Sequence, residues 1–210
     1  MGSRRSYFVT AIILINVAVF LMWTFGIPSY LFMEENFLVS WDALLEGRWW
    51  VCLSSVFSHS LLIHLLLNMM VLSSFGRVLE PFLGHLRFFS FYLGAGIFGS
   101  LVHAVVSAYL LEEPGLAALG ASGAVCGVVL LFSLIFPREK ILLFGIIPVP
   151  ALMGALAFVG LDLWGLSAQA KGGGLPIGHG AHLGGAFVGI FYYFIAVRPR
   201  LVRSSRNWIA

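Results

Sequence analysis

The chain has so many apolar residues, in stretches so long, that most of it has to lie in a lipid bilayer. Hydrophobic residues make up 60% of its 210 residues, and charged residues make up only 10%. Soluble domains usually carry about 25% charged residues, which cover their surface in water. Because this chain cannot cover a surface in that way, it is predicted to be an all-α integral membrane protein with a single domain over residues 1–210.

Six segments are apolar and long enough to cross a bilayer, which takes about 20 residues. The predicted spans are 7–25, 60–77, 87–110, 117–136, 141–163 and 176–197. The stretch between the first two spans is long and mixed, with acidic residues beside Trp41, Trp49 and Trp50. Tryptophan favours the membrane–water interface, so this stretch is predicted to lie on the bilayer as an interfacial loop.

The basic residues are distributed unevenly between the two sides that six spans define. Both termini lie on one side together with ten of the twelve Lys and Arg residues, and the other side has only Arg48 and Lys171. This distribution predicts cytoplasmic termini, with the opposite side as the outer face. The expected location is a bacterial inner membrane. The sequence pI of about 9.1 therefore reflects topology signals and does not indicate a nucleic-acid partner.

Four polar residues are predicted to lie at one depth within these apolar spans. Ser122 and His182 follow the starts of spans four and six by a few residues, and His64 and Asn68 lie near the start of span two. At about 1.5 Å per helical residue, Ser122 and His182 lie ~9 Å below the outer face. Polar groups at membrane depth are energetically expensive and are usually kept for function. The sequence therefore predicts a functional site in the outer third of the bilayer.

These residue types suit acyl transfer. A serine hydroxyl is a weak nucleophile unless a base lies beside it, and His182 is the candidate base for Ser122. His64 and Asn68 are four residues apart and share one helix face. Together with the Ser122 backbone N–H, they can donate hydrogen bonds to the oxyanion that forms when a carbonyl is attacked. Glycines spaced four residues apart in spans four and six are expected to let these helices approach closely.

The order and spacing of these motifs resemble those of the rhomboid family of intramembrane serine proteases. The resemblance covers nearly all of the chain and rests on His59, His64-x-x-x-Asn68, Gly76, Glu80, Gly84, Gly120-Ala121-Ser122-Gly123 and Ala181-His182-x-x-Gly185. It implies a rhomboid-like bundle of six transmembrane helices, in which a Ser122–His182 dyad works without a third acidic residue. It also implies an oxyanion site from His64, Asn68 and the Ser122 backbone amide, with Gly120 and Gly123 in support.

The resemblance further implies what such a protein acts on. The expected substrates are single-pass or polytopic membrane proteins, cleaved near the outer end of a transmembrane segment without a cofactor or a metal. A catalytically silent rhomboid-like protein that binds transmembrane clients is the alternative, which the intact set of site residues disfavours. A small transporter is disfavoured because the sequence has no internal repeat. Oligomeric state does not follow from the sequence.

Two positions bear on how the histidine is held. Rhomboid proteases often carry an aromatic residue four positions after the serine, where it packs on the catalytic histidine, and this chain has Cys126 there. A polar residue often precedes the histidine by three positions, and this chain has His179 there. His179 is expected to help bind the oxyanion or a water molecule, while the group that holds His182 is not evident.

Other ionisable residues are assigned structural roles. Asp162 lies near the predicted outer end of span five and could orient a histidine as a triad acid, but an interfacial hydrogen bond is favoured. A metal site among the histidines and Cys126 is disfavoured, because the sequence has no His-Glu-x-x-His pattern and no carboxylate accompanies them. Structural roles are also expected for His59, His85, His103 and Glu80.

Overall fold

The computed structural model describes residues 6–143 and 146–206, which form a bundle of helices with a small β-hairpin. The α-helices are α1 (Tyr7–Phe25), α2 (Tyr30–Phe37), α3 (Trp41–Leu45), α4 (Val51–Ser54), α5 (Leu62–Val71), α6 (Arg77–Leu83), α7 (His85–Tyr109), α8 (Ser122–Ile135), α9 (Ala151–Gln169), α10 (His179–Tyr192) and α11 (Arg198–Arg206). A 3-10 turn covers Ser55–Phe57, and π-helical turns at Leu72–Gly76 and Tyr193–Val197 join α5 to α6 and α10 to α11. Strands β1 (Lys140–Leu143) and β2 (Ile147–Pro150) pair antiparallel.

Five helical stretches in the described ranges are long and apolar enough to cross a membrane. They are Tyr7–Phe25, Leu62–Leu83, His85–Tyr109, Ala151–Gln169 and His179–Val202. The sixth apolar helix, α8, has only 14 residues. It is ~21 Å long, whereas the hydrocarbon core of a bilayer is about 30 Å thick. Most residues of α8 are buried by the neighbouring helices, and the predicted all-α polytopic fold is confirmed.

Two predicted spans begin five or more residues too early. Residues 141–143 and 147–150 belong to strands β1 and β2, so the fifth span starts only at Ala151 and continues to Gln169. Pro148 and Pro150 explain this, because proline removes a backbone donor and keeps the preceding residue extended. Residues 117–121 form a loop, and α8 begins at Ser122. Gly120 has a φ of +130° there, which only glycine adopts readily.

The structure describes every residue of the segment between α1 and α5, residues 26–61. Its helices are short, and none of them is a candidate span. Ser29 and Ser40 cap α2 and α3 by accepting the N–H groups of Phe32 and Ala43. An antiparallel bridge between Val39 and Ala118 ties the segment to the loop that precedes α8. This segment therefore supports the loop from which Ser122 emerges.

Glycines bring α8 and α10 into direct backbone contact. A β-carbon at Gly185 would overlap the carbonyl oxygen of Gly123. One at Gly189 would lie 2.6 Å from the carbonyl oxygen of Gly127, closer than real side chains approach. Without side chains between them, the two helix backbones can touch, as the four-residue glycine spacing predicted. This contact sets the distance between the two helices that carry Ser122 and His182.

A buried carboxylate anchors the start of the first span. Glu80 is fully buried and accepts the N–H groups of Phe8 and Val9 at 3.0 and 2.9 Å. Its Oε1 also lies 2.6 Å from His85 Nδ1. A negative charge at a helix N-terminus is favourable because the helix dipole is positive there. Glu80 and His85 therefore have structural contacts that join α1 to the turn between α6 and α7.

Candidate active site

Ser122 and His182 meet at the N-terminal ends of their helices. Ser122 is the first residue of α8, and its Oγ lies 2.9 Å from His182 Nε2. His182 lies in the first turn of α10, where its backbone N–H donates to the Gly178 carbonyl at 3.1 Å. The side chain of His182 is 11% exposed and Ser122 is half-buried, so the surrounding helices largely enclose the pair.

A carboxylate completes this arrangement. Asp162 lies on α9 with only 4% of its surface exposed, and its Oδ1 is 2.9 Å from His182 Nδ1. An ionised carboxylate can only accept hydrogen bonds, so the Nδ1–H of His182 is the donor in the bond to an ionised Asp162. In the neutral imidazole Nε2 is then the acceptor for the Ser122 hydroxyl. The order Ser122, His182, Asp162 is that of a serine-hydrolase triad.

The sequence-based interpretation of Asp162 was therefore wrong. It placed the residue in an interfacial hydrogen bond. Whether the reaction needs only the Ser122–His182 dyad, as the resemblance implied, is a separate prediction. Asp162 instead lies seven residues before the end of α9 at Gln169, ~10 Å along the helix axis. The error follows from the start of the fifth span, because a helix over 141–163 puts Asp162 at its last turn.

His179 has a different contact from the predicted one. It was expected to bind an oxyanion or a water molecule, but its Nδ1 lies 2.6 Å from Asp162 Oδ1 and its side chain is 8% exposed. The ring packs against Gly165 of α9, where a β-carbon would overlap it. His179 and His182 thus bond to the same carboxylate oxygen.

His64 and Asn68 lie on α5, as the spacing predicted, and the ring of His64 packs against the backbone beside Ser122. A β-carbon at Gly120 would lie 2.6 Å from His64 Cε1, so the glycine makes room for this ring. Asn68 is buried, and its Nδ2 donates to the His64 carbonyl at 3.0 Å. His64 is therefore adjacent to the serine loop, whereas the observed bond of Asn68 stays within its own helix.

His59 supports the same loop from the other side. Its Nε2 accepts the N–H of Ala121 at 3.5 Å, and its ring contacts His64 edge-on with centroids 4.8 Å apart. Burial, together with the nearby His64, lowers the pKa of His59 from 6.5 to about 3. His59 is therefore neutral at physiological pH, as an acceptor for a backbone N–H has to be. Its contacts are with the loop and with His64, and a purely structural role for His59 stays a prediction.

Phe158 supplies the aromatic contact that Cys126 does not. Its ring centroid lies 5.7 Å from that of His182, at an interplanar angle of 33°. Phe158 precedes Asp162 by four residues on α9, so both side chains lie on one helix face. The ring and the carboxylate therefore contact His182 from the same helix. The four-residue spacing of Phe158 and Asp162 was available in the sequence. The predicted span of 141–163, however, placed both residues near the end of the helix, whereas α9 continues to Gln169.

Asp162, His179 and His182 also present three potential metal-ligand atoms within 4.8 Å of one another. Their shortest separations, 2.6 and 2.9 Å, are those of N–H···O hydrogen bonds. A metal ion would have to replace the protons of both bonds. The geometry supports a hydrogen-bonded network, and the absence of a metal stays a prediction.

The apolar helices define a polytopic membrane protein. The arrangement of Ser122, His182 and Asp162 gives its site the geometry of a serine hydrolase. Comparison with known families agrees, because residues 46–199 match the model of the Rhomboid domain. The chain belongs to the rhomboid family, as its motifs predicted.

Three relatives illustrate the similarity. "Rhomboid protein 1, mitochondrial" of Saccharomyces cerevisiae is 36% identical over 95% of this chain and 58% of its own length. "RHOMBOID-like protein 12, mitochondrial" of Arabidopsis thaliana is 31% identical over 86% of this chain and 55% of its own length. "Presenilin-associated rhomboid-like protein, mitochondrial" of Homo sapiens is 32% identical over 88% of this chain and 47% of its own length. The chain spans about half the length of the curated relatives it matches.

These names correct the predicted location. A bacterial inner membrane was expected, whereas these relatives are named as mitochondrial proteins. The prediction of a bacterial membrane is therefore wrong. The distribution of basic residues indicates how the spans are oriented across a membrane, and it does not identify which membrane that is.

Proposed function

We propose that this chain is an intramembrane serine endopeptidase that cleaves transmembrane segments of other membrane proteins. The observation that carries the proposal is the hydrogen bond between Ser122 Oγ and His182 Nε2, at 2.9 Å. Membership of the rhomboid family supports it, since that family includes intramembrane serine proteases as well as inactive members. The complete Ser122, His182 and Asp162 set favours an active member over a silent client-binding one.

In the proposed reaction, Ser122 Oγ attacks the carbonyl carbon of the scissile peptide bond while its proton passes to His182 Nε2. The Nδ1–H of His182 donates to Asp162, which holds the ring in the required tautomer and stabilises the imidazolium. His182 then protonates the leaving amine, and the C–N bond breaks to give an acyl-enzyme on Ser122. A water molecule, deprotonated by His182, hydrolyses this ester and regenerates the serine.

The oxyanion of the tetrahedral intermediate is proposed to bind at the start of α8. The first N–H groups of a helix have no acceptor within the helix, and the helix dipole is positive there. The backbone N–H of Ser122 is one such group. His64 lies beside Gly120 and can supply a second donor, with Asn68 as a third from the same helix face.

The substrates are proposed to be single-pass or polytopic membrane proteins. A helix encloses its peptide bonds in i to i−4 hydrogen bonds, so a segment has to unwind locally before Ser122 can reach a carbonyl. Segments with glycine or other poor helix formers near the cut are therefore favoured. The names of the relatives favour a mitochondrial membrane as the setting.

The test is cleavage of a labelled transmembrane substrate in proteoliposomes by wild-type protein and by Ser122→Ala. Loss of cleavage is expected for Ser122→Ala, together with loss of covalent labelling by a fluorophosphonate. Ser133→Ala is a matched control, because Ser133 lies on the same helix and its hydroxyl donates to the Val129 carbonyl of that helix. Cleavage by Ser122→Ala at the wild-type rate would refute the proposal, and wild-type protein that neither cleaves nor reacts would favour the silent class.

A further inference from the structure

One oxygen of Asp162 accepts hydrogen bonds from two histidines. Oδ1 lies 2.6 Å from His179 Nδ1 and 2.9 Å from His182 Nδ1. The shorter of these bonds belongs to the histidine that does not contact Ser122. The proposed reaction uses only the longer one, so the contact with His179 needs its own explanation.

A carboxylate inside a membrane bundle needs hydrogen-bond donors, because burying an unpaired charge is very unfavourable. Asp162 lies in the interior of α9, where the backbone N–H groups already bond to carbonyls one turn earlier. Its own helix therefore has no free backbone donor to offer. Among the described residues, no group bonds to its second oxygen, Oδ2. The donors on Oδ1 thus come from the neighbouring helix α10.

The packing around His179 fixes its ring toward Asp162. His179 begins α10 and precedes His182 by three residues, so both point from one face of that helix. The two rings are nearly perpendicular, at 86°, with centroids 6.4 Å apart. On α9, Gly165 follows Asp162 by three residues and leaves space that the His179 ring fills. The ring is therefore enclosed between the two helices with Nδ1 on the carboxylate.

We propose that His179 is a positioning residue that holds the Asp162 carboxylate in the orientation in which Oδ1 faces His182. The inference rests on the proposed protease function. Freed from His179, the carboxylate rotates about its side-chain bonds and no longer holds the His182 ring in line with Ser122. His179 acts through Asp162 and does not touch the reacting atoms.

Steady-state cleavage in proteoliposomes tests this with three substitutions at one position. His179→Ala is expected to lower kcat about 10- to 100-fold, as expected for misplaced catalytic groups, with KM changed less than about threefold. His179→Asn keeps an amide N–H near the position of Nδ1, and it is expected to recover most of the rate. His179→Gln places its amide near the position of Nε2 instead, and it is expected to remain slow. A purely structural role for a bulky side chain would not separate Asn from Gln.

A double-mutant cycle tests whether His179 works through the carboxylate. In an Asp162→Asn background, His179→Ala is expected to lower kcat by less than about threefold, because the effects of coupled residues are not additive. Ser167→Ala, at an exposed position on α9, is the control for each background. Thermal unfolding of every variant checks folding, and if His179→Ala does not fold, the comparison of Asn with Gln carries the test.

Three results overturn the inference. The first is a wild-type kcat in His179→Ala. The second is an equal loss of kcat from His179→Ala in the wild-type and Asp162→Asn backgrounds, and the third is a His179→Gln variant as active as His179→Asn. These failures are distinct from failure of the proposed function. If Ser122→Ala is inactive while any of them occurs, only the role of His179 is wrong. If Ser122→Ala cleaves like the wild type, the proposed function itself is wrong.

Discussion

Gly123 of α8 and Gly185 of α10 are in direct backbone contact, so that a β-carbon at position 185 would overlap the carbonyl oxygen of Gly123. Gly123 directly follows Ser122, and Gly185 follows His182 by three residues. The closest approach of the two helices therefore lies beside the Ser122–His182 hydrogen bond. Any increase in helix spacing at this point lengthens that bond.

Gly185→Ala is expected to lower both the thermal unfolding temperature and the cleavage rate, the latter at least about tenfold. Overpacking a close contact costs about 1–3 kcal/mol and moves the backbone, which separates Ser122 from His182. Unfolding in detergent and initial rates in proteoliposomes measure the two effects. Gly160→Ala on α9 is the control, since nothing lies within 4 Å of a β-carbon there. A Gly185→Ala variant with wild-type rate and stability would contradict the described helix contact.

Asp162→Asn is expected to lower kcat by about 10²- to 10⁴-fold with little change in KM. The amide of asparagine can donate to His182 Nδ1, which favours the tautomer whose Nε2 carries a proton and cannot act as a base. Steady-state kinetics with a transmembrane substrate measure this. If Asp162→Asn cleaves within about threefold of wild type, Ser122 and His182 work as a dyad, as the family resemblance implied.

Phe158→Ala is expected to lower kcat about three- to tenfold, because ring contacts of this kind contribute about 0.5–1.5 kcal/mol. Phe158→Tyr keeps the ring against His182 and is expected to retain the wild-type rate. Cys126→Ala tests the alternative position, at which related proteases often carry the aromatic residue, and it is expected to have little effect. The reverse result, a large loss from Cys126→Ala and none from Phe158→Ala, would assign the support of His182 to α8.

His59 predicts a pH dependence of stability. Its pKa is lowered from 6.5 to about 3 in the folded state by burial and by His64. A lowered histidine pKa means that the unfolded chain binds the proton first as the pH falls. The contribution of His59 is therefore complete above pH 6.5 and is lost progressively as the pH falls from 6.5 toward 3.

The measurement compares unfolding temperatures of wild type and His59→Gln between pH 7.5 and pH 5. Glutamine keeps an acceptor near the Nε2 position for the Ala121 N–H but does not titrate. The wild type is expected to lose more stability than the variant over this range, by about 2 kcal/mol at most. Equal losses in the two proteins would show that His59 does not stay neutral in the folded state.

Much of this site could be predicted from the sequence, because polar residues are conspicuous in apolar spans. Ser122, His182 and His64 stood out by their chemistry and depth, and the structure brings all three together. The glycine spacing of spans four and six predicted the close contact of α8 and α10. These inferences depend on local composition and helical periodicity, which require no knowledge of how distant segments pack.

Asp162 could not be placed in the same way. Hydropathy shows that residues 141–163 are apolar, but it does not distinguish a β-hairpin followed by a helix from one continuous helix. The ten-residue difference in the start of α9 changed the position of Asp162 along the helix, and with it the position of Phe158. The prolines in β2 were a signal that was available in the sequence.

The amino-acid sequence by itself determined that the chain is a helical membrane protein, and it identified the serine and the histidine that the structure brings together. Only the tertiary structure decided that Asp162 joins them, that His179 shares its carboxylate and that Phe158 packs on His182. The physical reason is that hydropathy reports transfer from water to lipid, and it fixes neither the exact ends of a helix nor its rotation about its own axis. Those are set by packing against neighbouring helices, here by the contacts of α9 with α8 and α10.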